Sequence, residues 1–130
     1  MDFGKITMPV IRIEVPEGTA QETKQRIREG VKQAVLDTLA PKETKYDYVA
    51  VREVCAEIGD GVPLVTVDLR PGRGADRKKA LVDAIAALLK IELNVEAKDI
   101  YVLFRETSAE NHYAGGEPLA VWSPASKLVG

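Results

Sequence analysis

A chain of 130 residues, 45% apolar and 29% charged, is long enough for one domain with a core of its own. Its 18 basic and 20 acidic residues leave a net charge of -2, which provides no basic footprint for nucleic acid or an anionic membrane surface. One cysteine, Cys55, excludes an internal disulfide and a cysteine-based metal cluster, and no apolar run is long enough to span a bilayer.

The first residues, MDFGKIT, lack the basic end and apolar middle of a signal peptide, so a cytoplasmic protein is expected. Next comes "PVIRIEV" (9–15). Ile11, Ile13 and Val15 alternate with Arg12 and Glu14, the pattern of a strand with one apolar face. After Gly18 the period changes. Ile27, Val31, Val35 and Leu39 form one stripe of a helix. Thr19-Ala-Gln-Glu22 has the spacing of a capping box, and the helix is expected to end near Ala40-Pro41. A second strand follows in "YVAVRE" (48–53). The link "VCAEIGDGV" (54–62) reads as a turn or hairpin.

The pattern then starts again. "PLVTVDLRPG" (63–72) repeats "PVIRIEVPEG" (9–18), with Pro9 on Pro63, Ile11 on Val65, Ile13 on Val67, Glu14 on Asp68 and Gly18 on Gly72. Leu81, Ile85, Leu88, Leu89 and Leu93 take the places of Ile27, Val31, Ala34, Val35 and Leu39, in a helix read from about Ala75 to Leu93. After a one-residue slip, "YVLFRE" (101–106) repeats "YVAVRE". The tail, with Gly-Gly and two prolines, reads as a loop, a short strand over Leu119–Trp122 and an arm.

Helical crossovers favour parallel strand pairs and right-handed βαβ units. The expected fold is α+β, built of α/β units: two tandem β-α-β repeats forming one four-stranded mixed sheet with both helices on one face. The chain is then a single domain over 1–130. It has an extension at 1–7, repeats at about 8–56 and 62–107, and a C-terminal loop and arm at 108–130. One sheet face remains bare and calls for a partner, which predicts an oligomer.

A duplicated βαβ chain whose first strand opens on proline resembles the tautomerase superfamily. Residues 63–117 are similar to 4-oxalocrotonate tautomerase subunits from end to end, through the strand–Gly-Arg–helix junction and the late Gly-Gly. The two-repeat layout is most similar to the malonate semialdehyde decarboxylase branch and, more distantly, to the cis-3-chloroacrylic acid dehalogenases. The resemblance covers about Met8 to Trp122 and implies a homotrimer. It also implies a tautomerase or isomerase that uses no cofactor or metal and moves a proton on a small 2-oxo or unsaturated carboxylate.

The residues that the resemblance assigns are Pro9, Arg70 and Arg73 as catalytic groups, with Tyr101, His112, Tyr113 and Trp122 around the substrate. In the family an N-terminal proline amine is the base. An ordinary α-amine titrates near pH ~8, and neighbouring cations lower that value. Arg70 and Arg73, in "LRPGR", would hold the substrate carboxylate and stabilise an enolate. The first repeat has Pro16 and Thr19 at their places, so the halves diverge where a single site would need it. The bland alternative is a pair of solvated arginines, and for Pro9 a strand-edge proline. Tyr48 reads as strand packing and Cys55 as a small buried hydrophobe.

Departures from the family pattern leave other readings open. The acid expected after the first helix is replaced by Thr44, with Glu43 and Asp47 near it, which weakens a decarboxylase or hydratase of the malonate semialdehyde type. The first helix lacks the histidine of the chloroacrylate branch. Asp2 would block removal of Met1, so Pro9 is a free amine only if the natural chain begins at Met8, which is the expectation. With Pro9 blocked, the chain is read as a non-catalytic carboxylate binder, or its base is another group such as His112.

Overall fold

The computed structural model describes residues 9–39, 48–54 and 63–121. Cys55, Thr44, Trp122, the extension and the 55–62 link lie outside the described residues. Strand β1 (Val10–Pro16) leads to helix α1 (Gln21–Thr38) and strand β2 (Val49–Val54). Strand β3 (Leu64–Leu69), helix α2 (Gly74–Leu93) and strand β4 (Tyr101–Glu106) repeat that order. A short hairpin, β5 (Tyr113–Ala114) and β6 (Glu117–Pro118), follows. The four long strands form one mixed sheet in the order β2-β1-β3-β4. Each repeat contributes a parallel pair, and the two repeats meet through antiparallel β1 and β3, as the two-repeat fold requires.

Alternation along the strands decides which face is buried. Ile11, Ile13, Val15, Val65 and Val67 are fully buried and Leu69 nearly so. They pack against Ile27, Val31 and Val35 of α1 and Leu81, Ile85 and Leu89 of α2 in one cluster. Each such side chain contributes about 1.5–3 kcal/mol by leaving water. Gly30 allows the two helices to approach closely. A Cβ there would lie 2.7 Å from a Leu88 methyl.

The opposite face carries charge. Arg52 makes a forked pair with Glu14, with N–O distances of 2.9–3.1 Å. Asp68 accepts from Arg105 on one side and Arg12 on the other. Tyr101 and Leu103 are exposed. The uncovered face is therefore an ion-pair ladder flanked by apolar groups.

Two local expectations fail. Thr19 turns its hydroxyl back to the Pro16 carbonyl at 2.7 Å, and the N-cap of α1 is Ala20 without a side-chain bond, so the capping box does not form. The late strand is Glu117–Pro118 rather than Leu119–Trp122. Gly115 and Gly116 both have positive φ (63° and 82°), which closes a tight two-residue turn and fixes the pairing of Tyr113 with Pro118. The start of α2 is Gly74, with Asp76 in the first turn, and Asn94 ends it in the left-handed conformation.

Candidate functional site

Antiparallel pairing of β1 with β3 sets Val10 opposite Asp68. Pro9, at the start of the first repeat, therefore comes to the end of the sheet where β3 runs into "LRPGR". A cleft of about 280 Å³ opens there, and Pro9, Arg70 and Arg73 line it together. His112 and Tyr113, from the segment after β4, complete one wall.

Both arginines are buried, with 7% of Arg70 and 2% of Arg73 exposed, so they are not a solvated pair. Arg70 donates from Nη1 to the Ala120 carbonyl at 2.6 Å. Its Nε and Nη2 edge has no carboxylate partner among the described residues. Burial alone lowers its pKa from the usual arginine value. Arg73 donates from Nε to the Leu39 carbonyl at 3.0 Å, which ties it to the last turn of α1, and from Nη1 to the Arg70 carbonyl at 3.3 Å. Burial first, and then the cations of Arg70 and Arg77, push its pKa down to about 9, with Glu106 opposing them. Arg70 and Arg73 bring two desolvated cations to one cleft, which Asp68 also lines. A carboxylate placed against them would make the strong, charge-assisted kind of hydrogen bond.

His112 is held in place rather than loose. Its Nε2 lies 2.6 Å from the Thr107 hydroxyl and 3.2 Å from the Thr107 carbonyl. Its backbone N–H donates to Ala109, and its carbonyl accepts from Leu119 at 2.7 Å. Thr107 itself donates its N–H to the Leu69 carbonyl, next to Arg70. The wall that carries His112 is thus registered against the strand that carries the arginine.

The structure sorts the tyrosines differently from the sequence. Tyr48 lines the cleft, and its carbonyl accepts from Ile11 beside Pro9. Tyr101 stands beside Leu64, at the opposite end of β3 from Arg70, and is 61% exposed. The repeat makes these two residues equivalent. The antiparallel β1–β3 pairing decides which of them meets the arginines, and the alternation pattern does not report that pairing. Asn111 also lines the cleft and carried no signal in the sequence. Trp122 falls outside the described residues.

Among the described residues no cluster of three or more His, Cys, Asp or Glu side chains is placed to hold a metal. No described helix is long and apolar enough to cross a membrane.

Residues 63–121 match the family model described as tautomerase enzyme. Among solved structures, a fused 4-oxalocrotonate tautomerase described as a wild-type asymmetric trimer superposes with a TM-score of 0.73 at 22% identity, covering 85% of this chain and 95% of that one. Malonate semialdehyde decarboxylase, described with decarboxylase and hydratase activities, gives 0.66 at 18% identity over 93% and 97%. A member of the cis-3-chloroacrylic acid dehalogenase family gives 0.71 at 21% identity over 87% and 85%. No curated protein matches the chain in sequence.

Proposed function

We propose, from the match of residues 63–121 to the tautomerase family model and from the shared fold, that the chain is an enzyme that moves a proton on a small 2-oxo or unsaturated carboxylate. The observation that carries this reading is the cleft itself. It brings Pro9 to two buried arginines, one of which has no carboxylate partner among the described residues.

In the proposed reaction Arg70 holds the substrate carboxylate through its Nε and Nη2 edge. Arg73 adds positive potential and keeps Arg70 oriented through its backbone carbonyl. Pro9 nitrogen, as a free amine, takes the proton from the carbon α to the carbonyl, or from the enol oxygen in the reverse direction. The released electron pair moves into the enolate, whose oxygen the arginine field stabilises. The same proton returns to the other atom, and the product is an isomer of the substrate.

This chemistry needs Pro9 at the start of the mature chain, because an acylated proline nitrogen is an amide and not a base. The solved neighbour described as a trimer supports a homotrimer here, assembled through the face that the helices leave uncovered. The decarboxylase and hydratase chemistry named for one neighbour, whose fold superposes over nearly the whole of both chains, is the second reading.

The test is turnover of phenylenolpyruvate by the chain beginning at Pro9, beside the same chain with Pro9→Ala and one with a residue kept before Pro9. Ketonisation that depends on a free Pro9 supports the proposal. An equal rate in all three removes proline as the base.

A further inference from the structure

His112 is the single histidine of the chain, and it lines the cleft together with Arg70, Arg73 and Asn111. Hydrogen bonds tie it to Arg70 by two routes. Thr107, the partner of its ring, donates its N–H to the carbonyl of Leu69, the residue before Arg70. Leu119 donates to the His112 carbonyl and is followed by Ala120, whose carbonyl Arg70 holds. One closed circuit of hydrogen bonds therefore carries both the imidazole and the guanidinium.

The same partners fix the tautomer of the ring. Nε2 lies 2.6 Å from the Thr107 hydroxyl and 3.2 Å from the Thr107 carbonyl. A carbonyl oxygen only accepts, so Nε2 is the nitrogen that carries the hydrogen. Nδ1 is then the acceptor of the neutral ring, and it has no hydrogen-bond partner among the described residues. Protonation adds a hydrogen at Nδ1 and leaves the Thr107 anchor as it was. The ring can gain a positive charge without moving. Asn111 lines the same cleft, but its amide donates to the Ser108 hydroxyl at 3.2 Å and takes no charge.

The charged groups near the ring have other partners or titrate elsewhere. Asp68 is shared by Arg12 and Arg105, and Glu106 pairs with Lys78. Glu110, in the turn before His112, accepts from the Ser108 hydroxyl, and Glu117 of β6 is exposed. Carboxylates ordinarily titrate near pH ~4 and phenols near ~10. Arg73, at about 9, loses its proton above pH 8. Between pH 6 and 8 the imidazole is the described side chain of this cleft whose charge changes.

Resting on the carboxylate site proposed above, we infer that His112 is a further anion-binding residue, which Thr107 holds as the Nε2–H tautomer and which takes up a proton from water at Nδ1 as a carboxylate enters. The empty cleft already holds two arginine cations, and a third charge beside them is opposed. A carboxylate on Arg70 reverses that balance. It favours the imidazolium, whose Nδ1–H then donates to the anion in a charge-assisted bond. By linkage, whatever the anion does to the imidazole, the imidazole proton does to the affinity. The folded ring has a higher pKa with the anion bound, so the added affinity is present at low pH and is lost as the pH rises through that raised value.

The test uses 3-phenylpropanoate, a carboxylate without a ketone, so that binding is separated from turnover. The full chain is labelled with [15N]histidine, and its one imidazole is titrated by NMR with and without the ligand. The neutral ring should show the Nε2–H tautomer. Saturation should raise its pKa by at least about one unit, the low end for an opposite charge in contact. Calorimetry should find binding several-fold tighter at pH 6 than at pH 8. His112→Phe keeps a ring that takes no proton, and should bind equally at both values. The wild-type titration decides the matter whether or not that variant folds. An imidazole pKa that is unmoved or lowered by a ligand whose binding Arg70→Gln abolishes overturns the inference and leaves the carboxylate site standing, as does an Nδ1–H tautomer. Binding that is unchanged in Arg70→Gln, or no binding at either pH, overturns the carboxylate site and the inference with it.

Discussion

Replacing Arg70 by methionine should raise the stability of the empty protein while destroying its affinity for carboxylates. Among the described residues Arg70 donates one side-chain hydrogen bond, 2.6 Å long, to the carbonyl of Ala120. Ala120 is exposed, so water replaces the guanidinium there and the loss is about 0.5–1.5 kcal/mol. Against this stands the burial of a cation with 7% of its surface exposed, which lowers its own pKa and helps to lower that of Arg73. The effective cost of burying an ion is several kcal/mol. Methionine keeps most of the aliphatic length and removes that cost, so the net gain is at least about 1 kcal/mol, or roughly 3 °C or more in Tm for a domain of this size. Differential scanning calorimetry at pH 7 measures it, with 3-phenylpropanoate titration as the functional partner. A fall in Tm of more than about 5 °C would show that Arg70 serves the fold, and would refute the argument that its burial is maintained for an anion.

Arg73→Met should behave in the opposite way. It leaves the Leu39 carbonyl, on a fully buried residue, without the guanidinium and costs about 1–3 kcal/mol, read as a lower urea midpoint. Asp68 provides the pH test. Hydrogen bonds from Arg105 first, and the nearby charge of Arg12, hold its carboxyl below the ordinary carboxylate range. A depressed folded pKa means that its contribution is complete above about pH 4 and is lost as the pH falls through the lowered value. Asp68→Asn should therefore lower stability at pH 7 and flatten the acid limb of the stability curve. An unchanged acid limb would remove the ladder as a source of stability.

Much of the fold was legible because duplication writes the same signal twice. The alternation of Ile11, Ile13 and Val15, repeated at Val65, Val67 and Leu69, identifies the buried face, and the stripes from Ile27 and Leu81 identify what covers it. Arg70 and Arg73 were legible as candidates because the halves differ there, and Pro9 because it opens the first strand; the structure sets all three on one cleft. The tyrosines were not. Tyr48 and Tyr101 occupy the same place in each repeat, and only the inter-repeat pairing of β1 and β3 brings one to the arginines and the other to the far end. The Thr19 cap failed for a local reason. The hydroxyl has two competing backbone partners, and the Pro16 carbonyl takes it. The ladder that holds Asp68 joins residues far apart in the chain, Arg12 and Arg105, and a sequence pattern registers neighbours on one element rather than across three strands.

The most direct measurement is the titration of the Pro9 nitrogen itself. In a chain beginning at Pro9 and labelled with [15N]proline, only that nitrogen is an amine, so NMR follows its protonation without interference from the other prolines. Two buried cations on the same cleft should hold its pKa at least about one unit below the ordinary α-amine value near 8, and Arg70→Met should return it toward that value. A pKa at or above 8, or one that is indifferent to the loss of Arg70, would contradict a proline base working in an arginine field.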